Sequence, residues 1–446
     1  MSHYIPVTGG ATYSFCFTGT STAPRVLVFD SDFGYISELF DDDSRSVGAW
    51  WALTMPANAA WIRIPYDFAR RYSMTVLAAG SNVLSSYVAY RGATVGLGER
   101  FMAYLPDRIY CAVGRTIDIY NAQVCLNPEW YHIRWICDTG YAFARKFSVT
   151  GTAPDQAHNI TGNVGEHALT LHIYDKSGRM LYNKTATLVV TNGLSSNKSM
   201  LMIGDSLTKH DKPVLAELVS LSSGRITPVG RQHGSARDSG GTTRDCYCES
   251  ISGKSPLWFL TNTASPFYDS STAKFGWGYY KNHEGAVDVN PGFVCIFLGT
   301  NGLGENPRRQ AAYIAQIVSR IREEDSSIKI LVCHPIYRSN QDGIAVQTGS
   351  DGFSSGTIGA FKRIEDEKIM GLMIELDRAL AGMARVYTVS VAVSMDAAFN
   401  FGINEAPVNP RNTDYVEFRP TESIHPQACG YYQIADIIYS AVSAVV

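Results

Sequence analysis

From about residue 200 to the C-terminus, short apolar runs alternate with stretches of helical length, and this alternation narrows the possible folds more than any other feature. Strand-like SMLMIGDS precedes LTKHDKPVLAELVSLS, and FVCIFLGT precedes RRQAAYIAQIVSRIREE. SIKILVCHP then leads to IEDEKIMGLMIELDRALAGMA, and VYTVSVAVS is followed by the closing stretch GYYQIADIIYSAVSAV. Strands apolar at nearly every position are buried on both faces, and strands separated by helices pair in parallel through crossovers. The pattern predicts a three-layer α/β domain with a parallel sheet over 196–446. The chain has 446 residues, more than one core accommodates, so further domains are expected upstream.

Those upstream regions carry a different rhythm. Over residues 1–90, TYSFCF, RVLVFD, YISELF, WIRIPY and SMTVLAA alternate apolar and polar residues between turn-forming segments, which predicts a β-sandwich. Such a module is expected to serve as a glycan-binding or appendage domain. Over 91–195, DRIYCAVG, TIDIYNAQV, YHIRWICD, HALTLHIYD and TATLVVT read as strands, with DKSG at 175–178 as a hairpin turn. An immunoglobulin-like sandwich is expected there. The polar NGLSSNKS at 192–199 reads as a linker into the α/β domain.

Composition excludes several roles. Net charge is −3 without a long basic run, so the electrostatic footprint of a nucleic-acid binder is missing. No apolar run reaches the length of a membrane span, and the apolar tail IIYSAVSAVV fits a buried terminal helix. The N-terminal MSHYIPVTGGATYSFCF lacks the pattern of a signal peptide, so an extracellular, cell-surface or phage-virion setting would be reached without one in this chain. Nine scattered cysteines show no metal-ligand spacing; Cys246 and Cys248 alone are close, and no metal or cofactor is expected. Cys295 and Cys333 lie in apolar runs, where a thiol packs as a small hydrophobe.

In open α/β sheets, ligands meet the C-terminal ends of the strands. Three such ends are polar here: Gly204-Asp205-Ser206-Leu207, Gly299-Thr300-Asn301, and Thr421-Glu422-Ser423-Ile424-His425-Pro426 before the last helix. A serine hydroxyl becomes nucleophilic when an imidazole accepts its proton, and charge developing on the attacked carbonyl oxygen needs preorganised donors. A serine, an amide and an acid–imidazole pair converging on one edge are what acyl transfer requires.

Taken together, these segments resemble the SGNH (GDSL) hydrolases, and the likeness covers roughly 198–446. The GDS block implies Ser206 as nucleophile, with its own N–H in the oxyanion hole. The segment Asp238-Ser239-Gly240-Gly241-Thr242-Thr243 is similar to the block supplying an oxyanion glycine, which implies Gly240, with Gly241 as the alternative register. The G-x-N-D block implies Asn301 as a further donor, although Gly302 stands where Asp is usual. The D-x-x-H block implies His425 as base and Glu422, in place of Asp, as the acid that orients it. The segment SPFYDSSTAKFGWGYY also looks like bacterial and phage members.

His334 and Trp277 are candidate substrate-lining residues. The resemblance implies a carboxylic ester hydrolase working through an acyl-enzyme. Two preceding β-modules point to O-deacetylation of an acetylated glycan, and so to an acetylesterase. One alternative is a phage tail or surface glycan-binding protein whose hydrolase domain is weakly active or inactive. Another is a lipase or thioesterase.

Overall fold

A computed structural model describes residues 5–6, 9–18, 26–31, 35–39, 50–63, 73–77, 101–152, 161–282, 289–303, 305–339, 358–420, 422 and 424–446. The chain forms two compact units, 1–101 and 102–446. The boundary expected near residue 90 lies outside the described residues, and the one expected at 195/196 falls inside the second unit.

In the first unit, the described residues form two antiparallel sheets. One runs in the order Ile5–Pro6, Trp61–Arg63, Val26–Phe29, Tyr35–Leu39; the other in the order Trp50–Thr54, Thr12–Thr18, Ser73–Leu77. Each of the five expected runs holds a strand, and Ile5–Pro6 and Trp50–Thr54 are additional.

The second unit opens with two mixed sheets. His132–Ile136, Gly165–Tyr174, Met180–Thr191 and Arg108–Ala112 lie in that order, the last pair parallel. Lys146–Thr152 pairs with Tyr141–Ala142 and Thr116–Tyr120 antiparallel and with Thr161–Asn163 in parallel. Burial alternates along the long strands, as period-two sequences require, with Leu169, Leu171 and Ile173 inside. DKSG makes the expected turn: Asp175 Oδ1 accepts from the Ser177 and Arg179 N–H groups, and Gly178 takes φ +86°.

The α/β part contains a seven-stranded sheet. Its order is Gln232–Arg237, Thr243–Ser250, Lys198–Gly204, Phe293–Phe297, Lys329–Cys333, Val386–Val389, with Ile226–Val229 also paired to Lys198–Gly204. Every pairing is parallel except that of the first two strands, which form a hairpin. Every side chain of Phe293–Phe297 is buried, which is the signature of a strand covered on both faces. The helix Pro307–Glu324 turns Ala311, Ile314, Val318 and Ile321 inward at i, i+3, i+7 and i+10 spacing and packs on Ile358–Leu380. Asn306 caps its first turn, accepting from Arg308 N–H, and Pro307 fits the first helical position.

The expected helix over 207–222 begins only at Pro213 and ends at Leu221, because Pro has no N–H to continue a helix upstream of itself. The six residues before it stay free to build a loop. The closing helix Ala428–Val445 is buried nearly all round, which accounts for its apolar composition. It packs on Pro213–Leu221 and also meets the β-rich part: Ser440 Oγ accepts from Ala112 N–H at 3.0 Å, and Gln433 Nε2 donates to Tyr120 Oη at 3.1 Å. The expected linker is held by the same helix, with Leu194 N–H donating to Tyr439 Oη at 3.4 Å. These bonds join the β-rich and α/β stretches into one unit.

Candidate active site

Parallel registry brings three strand ends level. Gly204 pairs with both Phe297 and Ser250, so the segments that leave these strands emerge side by side. Gly204 must be glycine: a Cβ there would lie 2.0 Å from Thr208 Oγ1 and 2.9 Å from Ser250 Oγ, two hydroxyls that bond to each other at 2.9 Å. Immediately beyond, Asp205 accepts from Leu207 N–H at 3.0 Å, a side-chain turn that sets Ser206 at the apex of the loop.

His425 reaches this apex from the other end of the chain. Its Nε2 lies 2.9 Å from Ser206 Oγ, with both residues half-buried. The His425 loop is fixed on both sides. Glu422 Oε1 accepts from Ile424 N–H at 2.9 Å and from His425 N–H at 3.4 Å, and Gln427 N–H donates to Asn400 O at 2.7 Å. Glu422 Oε1 stands 3.7 Å from His425 Nδ1, within ion-pair reach but longer than a hydrogen bond. Its hydrogen bonds thus go to the loop backbone rather than to the imidazole.

Asn301 reaches the residue before Ser206. Its Nδ2 donates to Asp205 Oδ2 at 3.1 Å and to Lys254 O at 3.4 Å. Asp205 is fully buried, and burial pushes its carboxyl up to about 7, against the Leu207 N–H, the Arg338 charge and the Asn301 amide, which pull it down. Gly302 takes φ +98°, a backbone that strains a residue with a side chain, and a Cβ there would lie 2.7 Å from the Gln310 amide nitrogen and push it aside.

The glycine expected in the oxyanion hole, Gly240, lies away from Ser206. Gly240 and Gly241 form the exposed tip of the 232–250 hairpin, closed by Gly241 N–H donating to Asp238 O at 2.9 Å. The strand from Thr243 to Ser250 separates that tip from the sheet edge by about 20 Å at the usual rise. The tip lies instead against the 213–221 helix and Tyr432, through Ser239 to Glu217 and Tyr432 Oη to Asp238 O.

The glycine that reaches the edge is Gly253. Ile251 N–H donates to Gly204 O at 3.0 Å, and Lys254 N–H closes a turn onto Ile251 O at 3.2 Å. Gly253 occupies the third position of that turn with φ +74°, which a type II turn reserves for glycine.

His334 and Trp277 do not line the site. Both are wholly buried: Trp277 belongs to the core with Phe259 and Phe267, and His334 Nε2 bonds Asp377 Oδ1 at 3.2 Å beneath Tyr104. Cys246 and Cys248, two apart on one strand, are buried on the same face, and the Sγ atoms of Cys295 and Cys333 approach to 3.6 Å inside the sheet.

No protein-family model matches the chain. No curated protein matches it either. Similar solved structures include a carbohydrate esterase family 3 from Talaromyces cellulolyticus, at 15% identity over 55% of this chain and 96% of that one, with a TM-score of 0.36. They also include a Clostridium thermocellum family 3 carbohydrate esterase, at 16% identity over 56% and 98%, TM-score 0.32. A third is a Corynascus thermopiles (Myceliophthora fergusii) carbohydrate esterase family 2 enzyme plus carbohydrate binding domain, at 11% identity over 78% and 98%, TM-score 0.32. The solved structures that the chain resembles at this low identity are SGNH/GDSL hydrolases, carbohydrate esterases and a lipase/acylhydrolase among them.

Proposed function

We propose that the chain hydrolyses carboxylic esters through an acyl-enzyme on Ser206. One observation carries the reading: the 2.9 Å approach of His425 Nε2 to Ser206 Oγ at the C-terminal edge of a parallel sheet, between residues 219 apart in sequence. In the tautomer with its proton on Nδ1, His425 accepts the Ser206 hydroxyl proton as the oxygen attacks the ester carbonyl. The C–O bond to the alcohol then breaks as the imidazolium returns the proton to the leaving oxygen. Water repeats the two steps on the acyl-enzyme, releasing the acid and restoring Ser206.

The negative oxygen formed in each half-reaction needs donors. Those grouped at this edge are the Ser206 and Gly253 N–H groups and the Asn301 amide, which reorients from Asp205 and Lys254 O as the oxyanion forms. Glu422 stabilises the imidazolium across 3.7 Å.

Acetylated glycans are the substrate class we favour, since β-rich stretches precede the hydrolytic part and a saccharide chain is long enough to use both. The test is release of acetate from acetylated polysaccharides together with hydrolysis of p-nitrophenyl acetate, each with wild type and Ser206→Ala. Loss of both activities in the variant is expected. Equal rates for the two proteins would remove Ser206 from the mechanism, and a preference for long-chain esters would replace the glycan with a lipid.

A further inference from the structure

The second unit holds a concavity that the Ser206 chemistry leaves unused. A cleft of about 320 Å³, at the small end of the range for ligand sites, opens between the residues following the Thr116–Tyr120 strand, the Pro128–Tyr131 segment and residues 396–398. Its chemistry is amphipathic. Tyr120 and Tyr131 contribute aromatic side chains to its lining, and Glu129, Arg145 and Asp396 contribute charged ones.

The Arg145 guanidinium is held by three neighbours. It lies 5.3 Å from the Tyr120 ring centre and 4.7 Å from that of Phe399, and it pairs with the Asp396 carboxylate. Asp396 is itself fixed by the Ala398 and Phe399 N–H groups, at 2.9 and 3.3 Å. A planar donor and a carboxylate acceptor are thus set side by side in one orientation.

Charge selects among ligands. Asp396 neutralises Arg145, Asp118 neutralises the neighbouring Lys146 at 2.7 Å, and Glu129 adds a negative charge. No net positive field remains to hold a phosphate, sulfate or carboxylate. A neutral ligand rich in hydroxyls fits, because its C–H face can lie on aromatic rings while its hydroxyls bond the fixed polar groups. Three residues adjoining the cleft in sequence present unusually exposed rings: Trp130 at 40%, Phe143 at 49% and Phe399 at 67%. A cluster of exposed aromatic surface around a polar cleft is the form expected of a surface that a sugar covers.

The cleft is also tied to the His425 loop by hydrogen bonds. Asp396 N–H and Asn400 Nδ2 both donate to Gln433 Oε1, at 2.8 and 2.6 Å, and Asn400 O holds Gln427, two residues beyond His425. We propose that this cleft is a saccharide-binding subsite, and, resting on the esterase reading above, that it takes a unit of the same neutral glycan whose ester is cleaved at Ser206.

The test is binding rather than turnover, so it does not depend on that reading. Full-length Ser206→Ala protein is titrated with xylohexaose, cellohexaose and mannohexaose by calorimetry, and again with Ala144→Arg or Phe399→Ala added. Ala144 is an exposed lining residue, so the long arginine side chain fills the cleft while the Asn121 bond to the Ala144 carbonyl stays in place. Expected is binding of at least one hexaose, weakened about tenfold or more by both added substitutions, with unchanged melting temperature. No binding of any hexaose at about 10 mM, or binding that neither substitution alters, overturns the proposal. Binding that behaves as expected in a chain without esterase activity keeps the subsite and removes only the hydrolytic role.

Discussion

Replacing Glu422 by Gln separates its electrostatic role from its hold on the backbone. The amide oxygen of Gln can still accept from the Ile424 and His425 N–H groups, so the loop keeps its shape and only the charge is lost. At 3.7 Å, a carboxylate and an imidazolium attract by about 1 kcal/mol in a water-like dielectric and by about 4 kcal/mol at an effective value near 20. The two side chains are 45% and 36% exposed, which places the pair toward the weaker end. Glu422→Gln should therefore lower kcat/KM for p-nitrophenyl acetate by about 5- to 10-fold. A carboxylate bonded directly to the base would cost about 10⁴-fold when neutralised. Glu422→Ala removes the backbone acceptor as well and should lose about tenfold more. Steady-state kinetics on the two variants decides the matter. A loss near 10⁴ in Glu422→Gln would show that the carboxylate closes onto Nδ1 during turnover, and wild-type rates in both variants would remove Glu422 from the site.

Three further outcomes are expected. Gly240→Ala should leave kcat/KM within about twofold, because its Cβ would meet only Asp238 Oδ1 at 3.4 Å on an exposed tip, whereas Gly253→Ala, forced to φ +74°, should shift the turn and cost about 10- to 100-fold. Asn301→Ala should lower kcat by about 10²- to 10³-fold with little change in KM, the mark of a donor used in the transition state. Asp205→Asn should flatten the pH dependence of stability. The native carboxyl keeps its proton up to about 7 while the unfolded one releases it near 3.8, so the native state binds more protons in between and loses stability as pH rises through that window. The loss is on the order of 4 kcal/mol between pH 4 and 8; urea unfolding across that range should show a shallower fall in the variant, and parallel curves would contradict the burial argument.

How much of this was legible in the sequence depended on the range over which each signal acts. The central strands announced themselves because burial on both faces leaves no polar position, as in Phe293–Phe297, and the long helices because their stripe repeats over many turns, as in Pro307–Glu324. Ser206, Asn301 and His425 were legible because each follows or precedes such an element at the sheet edge. The hairpin 232–250 carries no strand signal because its outer strand is polar, with only Ala236 of Gln232–Arg237 buried, and such a stretch reads as loop. Ile403–Asn409 and Asn412–Pro420 carry none for the same reason: as a pair bonded only to each other they bury little, and Pro407 and Pro420 argue against strands in isolation.

The distance of Gly240 from Ser206 has a more instructive cause. Nothing local distinguishes Gly240 from Gly253, since both stand in polar turns preceded by serine. What separates them is registry: Ser250 pairs with Gly204, and that single non-local contact decides which turn lies beside Ser206. A motif reports which residue types a reaction needs; the partner strand decides which copy of them is used. The same logic bears on the buried aromatics. Trp277 and His334 sit in segments rich in site-like residues, yet the core closes over both, because a large ring stabilises more by full burial than by lining a wet groove. The exposed rings Trp130, Phe143 and Phe399 stand next in sequence to lining residues of the cleft, and the closing helix ties two sides of that cleft together, Gln433 bonding Tyr120 on the β-rich side and Asp396 on the α/β side. If that junction is what assembles the subsite, weakening it should impair glycan binding before it impairs ester cleavage. Gln433→Ala, which removes the bonds to Tyr120 and Asn400 and lies outside the Ser206 cluster, should therefore weaken oligosaccharide affinity by more than it lowers kcat for p-nitrophenyl acetate. An equal fall in both would mean that the junction serves the catalytic loop alone.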